Sequence, residues 1–306
     1  MTALGIQRGW PILEQPKSRV ATIAASSYGA GLSERLEEAL RTFPATLARI
    51  QGGTVLLKPN LVEVHPGRPI NTDARLVAAA VEAFRRAGAA EVLVGEGPGH
   101  HRDTEGVVEW SGLRPLLRET GARFVDLNIA DTAPVSLRDD FSGLGALHLP
   151  RVVRGVDLVV SVAKMKTHHW VGATLTMKNL FGVVPGAVYG WPKNPLHHAG
   201  ISRCIVDLWR TLEPGFGIVD GITGMEGDGP IMGDPVSSGV VVMGPHLPAV
   251  DSVAASLMGL DSSRLEVLSV VGRLGATVHP WRIDVDGDPV QPTPFRLLEQ
   301  WAHLRA

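Results

Sequence analysis

The sequence predicts an α/β protein of two Rossmann-like lobes, each an open, mostly parallel sheet flanked by helices, with a cleft between them. Three observations point there. Short β-branched runs alternate with amphipathic helical segments along most of the 306 residues. The runs are apolar on both faces, as strands covered by helices on both sides must be. Polar or glycine-rich turns separate strand from helix at most junctions. A length of 306 residues is near the upper end of a single core, so one large domain or two closely packed lobes both fit; the break in rhythm at 131–150 leads us to expect lobes over 1–150 and 151–306.

The elements follow in order. "VATIAA" (20–25) reads as a strand, and "LSERLEEALRTFPATLARI" as a helix broken at Pro44. "TVLLKPNL" (54–61) is a second strand. After a loop comes the helix "DARLVAAAVEAFRRAG", with Asp73 at its N-cap and Gly88 as its C-terminal stop. "EVLVGEG" (91–97) runs into a polar start and an apolar-striped helix, and "RFVDLN" (123–128) follows. Residues 131–150, "DTAPVSLRDDFSGLGALHLP", break the rhythm and are expected to form a hairpin or excursion between the lobes. "VDLVVSVA" (156–163) restarts it, and Thr167 or Thr174 is expected to help begin a helix containing "TLTMKNLFG". "FGIVDGIT" (216–223) and "GVVVMG" (239–244) are further strands, with "LPAVDSVAASLMG" a helix after them. "WRIDVDG" reads as a late strand whose Asp-Gly makes a hairpin turn, and "TPFRLLEQWAHL" as a closing helix.

Composition excludes several classes of function. Hydrophobic residues make up 44% and charged residues 20%, as in an ordinary soluble globular chain. A net charge of −2 gives no electrostatic case for nucleic acid or an anionic membrane, so neither is expected as a partner. The lone cysteine, Cys204, excludes an intrachain disulfide framework and a cysteine-ligated iron–sulfur cluster. It reads as a small buried hydrophobe. The first twenty residues lack the apolar core of a signal peptide and no run reaches membrane-spanning length, so the expected compartment is the cytoplasm.

Open α/β sheets bind ligands outside the carboxyl ends of their strands, and four such ends here are unusually polar. In "LKPNLVEVHPGRPINTD" (57–73), Lys58 and Asn60 leave a strand, and Arg68 with the following helix start suits a carboxylate or phosphate. In "GEGPGHHRDTEG" (95–106), His100, His101 and Arg102 suit acid/base or anion work, since the glycines fit neither common phosphate-loop pattern. "AKMKTHHWVGATLTMKNLFG" (163–182) gathers Lys164, Lys166, His168, His169, Lys178 and Asn179 after an apolar strand. A straight helical rise would separate His168 from Lys178 by roughly 10–15 Å, close enough to border one cavity. "VDGITGMEGDGPIMGD" (219–234) offers Asp220, Glu226, Asp228 and Asp234 to a hard cation or to the lysines. "YGWPKNPLHHAG" adds Lys193, His197 and His198. No HExxH or CxxC spacing is present, so a metal would rest on residues joined by folding; His169, His198 and Asp228 are the set considered. Each segment also has a purely structural reading: solvated loops, turn carboxylates facing water, or lysines extended along an amphipathic edge.

These segments, in this order, resemble the family catalogued as domain of unknown function 362. "LLKPNLV", "GEGPGHHRDT", "KMKTHHWVGATLTMKNLFGVVPG", "VDGITGMEGDGP" and "PAVDSVAASLMGLD" carry the match, from about Val20 onward. Many members of that family carry an added ferredoxin-like cluster domain, for which this chain has no set of cysteines. A more distant similarity reaches the nickel-pincer lactate racemases. It implies that His101 and His168 are proton-transfer histidines and that Lys178 anchors a cofactor or substrate. It also implies that His197 or His198 stands where a metal-binding histidine occurs, and that Arg68 belongs to an anion-binding loop. The glycine-rich run before the racemase lysine is here "GATLTM", and the later histidine is displaced in spacing.

The expected function is therefore an enzyme acting on a small anionic organic molecule. Lys58, Asn60, Arg68, Arg102, Lys164, Lys166 and Asn179 would bind it, and His101, His168 and Lys178 would carry the chemistry. Proton transfer next to a carboxylate is the reaction favoured, of isomerase or lyase type. Two alternatives stay open: a divalent-metal enzyme, redox or hydrolytic, and a non-catalytic anion- or nucleotide-binding module.

Overall fold

The computed structural model describes residues 17–99 and 103–306, and its strands fall on the β-branched runs. They are β1 (Ser18–Ala24), β2 (Thr54–Pro59), β3 (Glu91–Glu96), β4 (Arg123–Asp126), β5 (Thr132–Ser136) and β6 (Ala146–Pro150). The later ones are β7 (Leu158–His168), β8 (Gly172–Thr174), β9 (Phe216–Glu226), β10 (Asp234–Val236), β11 (Val240–Gly244) and β12 (Ile283–Gly287). The main sheet runs β12-β1-β11-β9-β7-β2-β3-β4. Along that path only β11 opposes its neighbours; the other pairings are parallel. The chain is thus α/β with a large, mostly parallel sheet.

The segments 1–150 and 151–306 do not build separate sheets. Val55–Pro59 of β2 pairs in parallel with Leu158–Val162 of β7, and β1 is inserted between β11 and β12. A strand apolar on both faces needs backbone partners on both edges, and here each half supplies them to the other. Residues 131–150 do form a hairpin off the main sheet, with Thr132 opposite Pro150 and Ser136 opposite Ala146.

Helices cover both faces. α1 (Leu32–Arg41), α2 (Pro44–Ile50), α3 (Ala74–Arg86), α4 (Thr104–Trp110) and α5 (Leu113–Thr120) bury their apolar stripes in one core. α6 (Arg151–Gly155) follows the hairpin, and α7 (Thr176–Asn179), α8 (Gly186–Tyr189) and α9 (Asn194–Ala199) are short. α10 (Ile201–Leu212), α11 (Leu247–Leu257) and α12 (Glu266–Arg273) pack in the other core. Pro44 opens α2, and Asp73 accepts the Arg75 N–H at 2.9 Å at the start of α3. Gly88, at φ 115°, follows the last turn of α3. Cys204 is buried in α10, and burial pushes its thiol up to about 11, out of the reactive range. Among the described residues no helix is long and apolar enough to cross a membrane.

Three local expectations change. The strand expected at 156–163 continues as β7 to His168, with every residue buried, and β8 folds back on it. α7 begins after Leu175, and its free N–H groups are taken not by a threonine but by Asp251 of α11, at 2.8 Å from Thr176 N and 3.0 Å from Met177 N. β12 pairs in parallel with β1 instead of turning into a hairpin, and the closing helix reduces to a 3-10 turn at Glu299–Leu304.

Candidate active site

The carboxyl ends of β2, β3 and β7 meet the loop after β9 around a cavity of about 370 Å³. Beneath it lies an ion pair of which Glu96 lines the cavity. Lys58, at the end of β2, reaches Glu96 at the end of β3 and also donates to Pro59 O at 2.7 Å and Asn179 Oδ1 at 3.0 Å. Both charged groups are buried. Burial pulls the Lys58 amine down and pushes the Glu96 carboxyl up, while each opposes the other's shift by attraction. Asn179 completes the floor, donating to Lys58 O at 2.9 Å and Ser161 Oγ at 3.0 Å. Gly182 passes so close that a Cβ there would overlap the Lys58 amine and the Glu96 carboxylate. Asn60 lines the wall, with its Oδ1 buried and unpartnered.

β7 supplies the cationic side. Its side chains alternate, so Lys164, Lys166 and His168 project to one side of the strand. Lys164 does not reach the cavity. β9 places Asp220 beside it in register, and Lys164 Nζ donates to Asp220 at 2.6 Å, Thr223 O at 3.0 Å and Tyr28 OH at 3.1 Å. Burial, and then the Asp220 charge, push the Tyr28 hydroxyl far above its usual range. Arg68 also lies apart, donating to Ile231 O at 3.3 Å, and with Lys164 it borders a separate cleft of about 740 Å³. The expected grouping of Arg68, Lys164 and Lys166 on one anion is therefore corrected: Lys166 alone of the three lines the cavity.

Lys166 is fully buried and donates to Ile70 O at 2.7 Å and Pro230 O at 3.4 Å. Burial, and then the charges of Lys178 and Lys164, hold its amine well below the usual lysine range. His168 is held well below the usual histidine range by burial, and then by Lys178, so its imidazole is neutral at physiological pH. His168 Nδ1 accepts the Trp170 N–H at 3.0 Å, which places its proton on Nε2. His168 and Lys178 border one cavity as expected, though the route between them is the β7–β8 turn and only the start of α7, not a straight helix.

Lys178 stands 4.9 Å from the centre of the Phe181 ring, without a hydrogen-bond or ion-pair partner among the described residues. Burial lowers it to about 8. Two groups that the sequence pointed out without giving them a catalytic or substrate-binding role complete the wall. Lys193 is buried, donates to Gly97 O at 2.8 Å and Phe181 O at 3.4 Å, and is lowered to about 7 by burial. His197 lies 3.2 Å by Nδ1 from Lys193 O; a carbonyl only accepts, so Nδ1 carries the proton and Nε2 keeps a lone pair. Burial also lowers His197. Trp170 stacks edge-on to His197 and is 56% exposed, forming the rim.

Glu96 is the sole acidic residue on this wall among the described residues, and Lys58 already occupies it. The remaining lysines and histidines line the same cavity, an arrangement that suits an anion. One signal for it was present in the composition. The chain has six lysines and 23 arginines, and only Lys17 among the lysines is exposed. Lysine is normally a surface residue, so its withdrawal from the surface marks the interior lysines as special.

The metal set considered from sequence does not assemble. His169 lies 3.8 Å from Asp228, but His198 is exposed and off the cavity wall, while its neighbour His197 is on it. Among the described residues no group of three or more His, Cys, Asp or Glu is placed to hold a metal ion. His101 and Arg102 lie outside the described residues.

Fold and site together define an α/β protein with a lysine- and histidine-walled cavity at its strand carboxyl ends. The chain belongs to the family described as Domain of unknown function (DUF362), whose model matches residues 55–256. It is 30% identical over 264 residues to a thylakoid-associated protein of Synechocystis sp., covering 84% of this chain and 79% of that one. Its fold is similar to that of the lactate racemase apoprotein from Thermoanaerobacterium thermosaccharolyticum, with a TM-score of 0.50 at 13% identity. That likeness covers 80% of this chain and 58% of the racemase, so the chain spans less than two thirds of the solved protein. A Thermotoga maritima protein of known structure gives a TM-score of 0.42 at 14% identity, over 76% of this chain and 59% of that one.

Proposed function

We propose that the protein is an enzyme that moves a proton next to the carboxylate of a small organic anion. One observation carries this reading: His168 and His197 line the same cavity with opposite proton placement, Nε2–H on the first and a free Nε2 lone pair on the second. His197 is then the base that removes the proton. His168 is a neutral donor to the oxygen on which charge develops, a role for which a neutral imidazole is well suited. Lys178 and Lys193 hold the carboxylate and balance the developing charge. The 13%-identical racemase contributes only its fold to this argument.

The cofactor that the racemase resemblance implies would be held through Lys178, whose cavity-facing amine without a hydrogen-bond partner fits an anchor. Bound there, such a group would supply an electrophilic centre to the substrate.

Hydrogen exchange tests the proposal. Small 2-hydroxy acids incubated with the protein in deuterated water should lose their C2-proton signals by nuclear magnetic resonance, and 2-oxo acids such as pyruvate their C3-proton signals. His197→Ala and His168→Ala should each slow that loss by about a hundredfold or more. Wild-type exchange rates in both variants would overturn the assignment. Tight binding of the same acids without any exchange would identify an anion-binding module instead.

A further inference from the structure

We infer that Lys166 is a nucleophilic amine that forms an imine with the carbonyl carbon of a 2-oxo acid held in the cavity. The inference rests on the reading of the cavity as a site for a small carboxylate and names its substrate class. Lys58 and Lys164 each face a carboxylate, Glu96 and Asp220. Lys166 faces none; its two partners are the backbone carbonyls of Ile70 and Pro230. Two carbonyls satisfy the two N–H bonds of a neutral amine and leave its lone pair unused. Lys193 also meets only carbonyls, but the charges of Glu96 and Asp126 favour its protonated form. At Lys166 the order is reversed: burial and then the charges of Lys178 and Lys164 disfavour that form ahead of Glu96, which favours it, whereas at Lys193 Glu96 comes ahead of the neighbouring ammonium groups.

The neighbouring groups suit the same step. Thr174 stands opposite Lys166 in the β7–β8 ladder, which makes the two side chains neighbours on one face. Its hydroxyl is buried, lines the cavity and has no hydrogen-bond partner. A buried hydroxyl left unpaired is costly unless something else meets it. His168 follows Lys166 on the same side of β7, presenting Nε2–H.

The chemistry balances without an oxidant or reductant. The Lys166 nitrogen adds to the carbonyl carbon, the carbon–oxygen double bond opens, and the oxygen takes the proton that leaves nitrogen, relayed by the Thr174 hydroxyl. The resulting hydroxyl then leaves with a second proton as water while the carbon–nitrogen double bond forms. In a 2-oxo acid that carries hydrogen on C3, the protonated imine acidifies that C3–H bond, and His197 is the base proposed to take its proton.

Reductive trapping tests the inference. The intact protein is incubated with pyruvate or glyoxylate and cyanoborohydride, digested, and mapped by mass spectrometry. A secondary-amine adduct on Lys166, lost in Lys166→Arg, is expected. Mapping the wild-type protein stands without the variant, should Lys166→Arg fold poorly. Adducts confined to Lys17 and the amino terminus, or placed on Lys178 or Lys193, would overturn the assignment. An adduct at Lys166 without hydrogen exchange upholds the imine and removes the histidine reading; exchange without an adduct does the reverse.

Discussion

The carboxylate of Asp251 accepts two hydrogen bonds from Thr176, one from its backbone N–H at 2.8 Å and one from its hydroxyl. A third comes from Met177 N at 3.0 Å, so one side chain of α11 fastens the helix that carries Lys178 and Asn179. Asp251→Ala leaves two buried N–H groups unpaired and the Thr176 hydroxyl with only Leu247 O at 3.5 Å, and should cost about 2–4 kcal/mol. It should also weaken carboxylate binding by loosening Lys178. Denaturant midpoints and a binding titration read the two effects, and a variant as stable as wild type would show that α7 is held some other way.

Affinity for an anion should depend on pH in a defined direction. Burial lowers Lys178 to about 8 and Lys193 to about 7 in the free protein. Each attracts a carboxylate only when protonated, and the carboxylate in turn raises its pKa. Affinity should therefore be full below about pH 7 and fall as pH rises past 7 and then 8, by up to about tenfold per unit for each amine. Binding near pH 8 should take up protons, which calorimetry in buffers of different ionisation heat detects. A flat affinity from about pH 6 to about 9 would contradict the arrangement of amines.

Gly182→Ala should be destabilising by about 1–3 kcal/mol, because its Cβ meets the Lys58 amine and the Glu96 carboxylate. Gly155→Ala is the control. Nothing lies within 4 Å of a Cβ there, and the residue ends an exposed helix, so about 0.5–1 kcal/mol of stabilisation is expected. Thermal unfolding of the two variants should move in opposite directions. Equal shifts would remove the argument that glycine is required over the ion pair.

Lys58→Met leaves the Glu96 carboxyl buried without its ammonium and should cost about 3–5 kcal/mol. Adding Glu96→Leu should recover much of that loss, since an apolar pair leaves no orphaned charge. Chemical denaturation of Lys58→Met, Glu96→Leu and the double variant measures the coupling. A double variant no more stable than Lys58→Met would show that the pair does more than satisfy its own charges.

Much of the fold was legible because it depends on local pattern. Pro44, Asp73 and Gly88 mark their helix boundaries through backbone preferences that hold wherever they occur. The 131–150 hairpin also stood out against its surroundings. The single sheet was not legible, because the pairing of β2 with β7 and the insertion of β1 beside β11 join residues far apart in sequence.

The candidate site was half legible. The lysine- and histidine-rich block was conspicuous, but its lysines were taken to lie beyond the strand, since buried strands seldom carry them. Their alternation, Lys164, Lys166 and His168, is nonetheless the period of a strand continuing. His197 could not be told from His198 by adjacency; about 100° of helical rotation in α9 separates the two, and packing decides which one faces inward. Lys193 was noted but its role was not legible, because its environment comes from Gly97 and Phe181 of other segments.

With lysine drawn inward, the outer face of the molecule carries its positive charge almost wholly as arginine. A protease that cuts only after lysine meets one exposed target in the described fold, Lys17, and finds the other five sheltered. Cleavage at Lys58, Lys164 or Lys166 therefore requires the central strands to separate, so a lysine-specific digest times the opening of the sheet with no label attached.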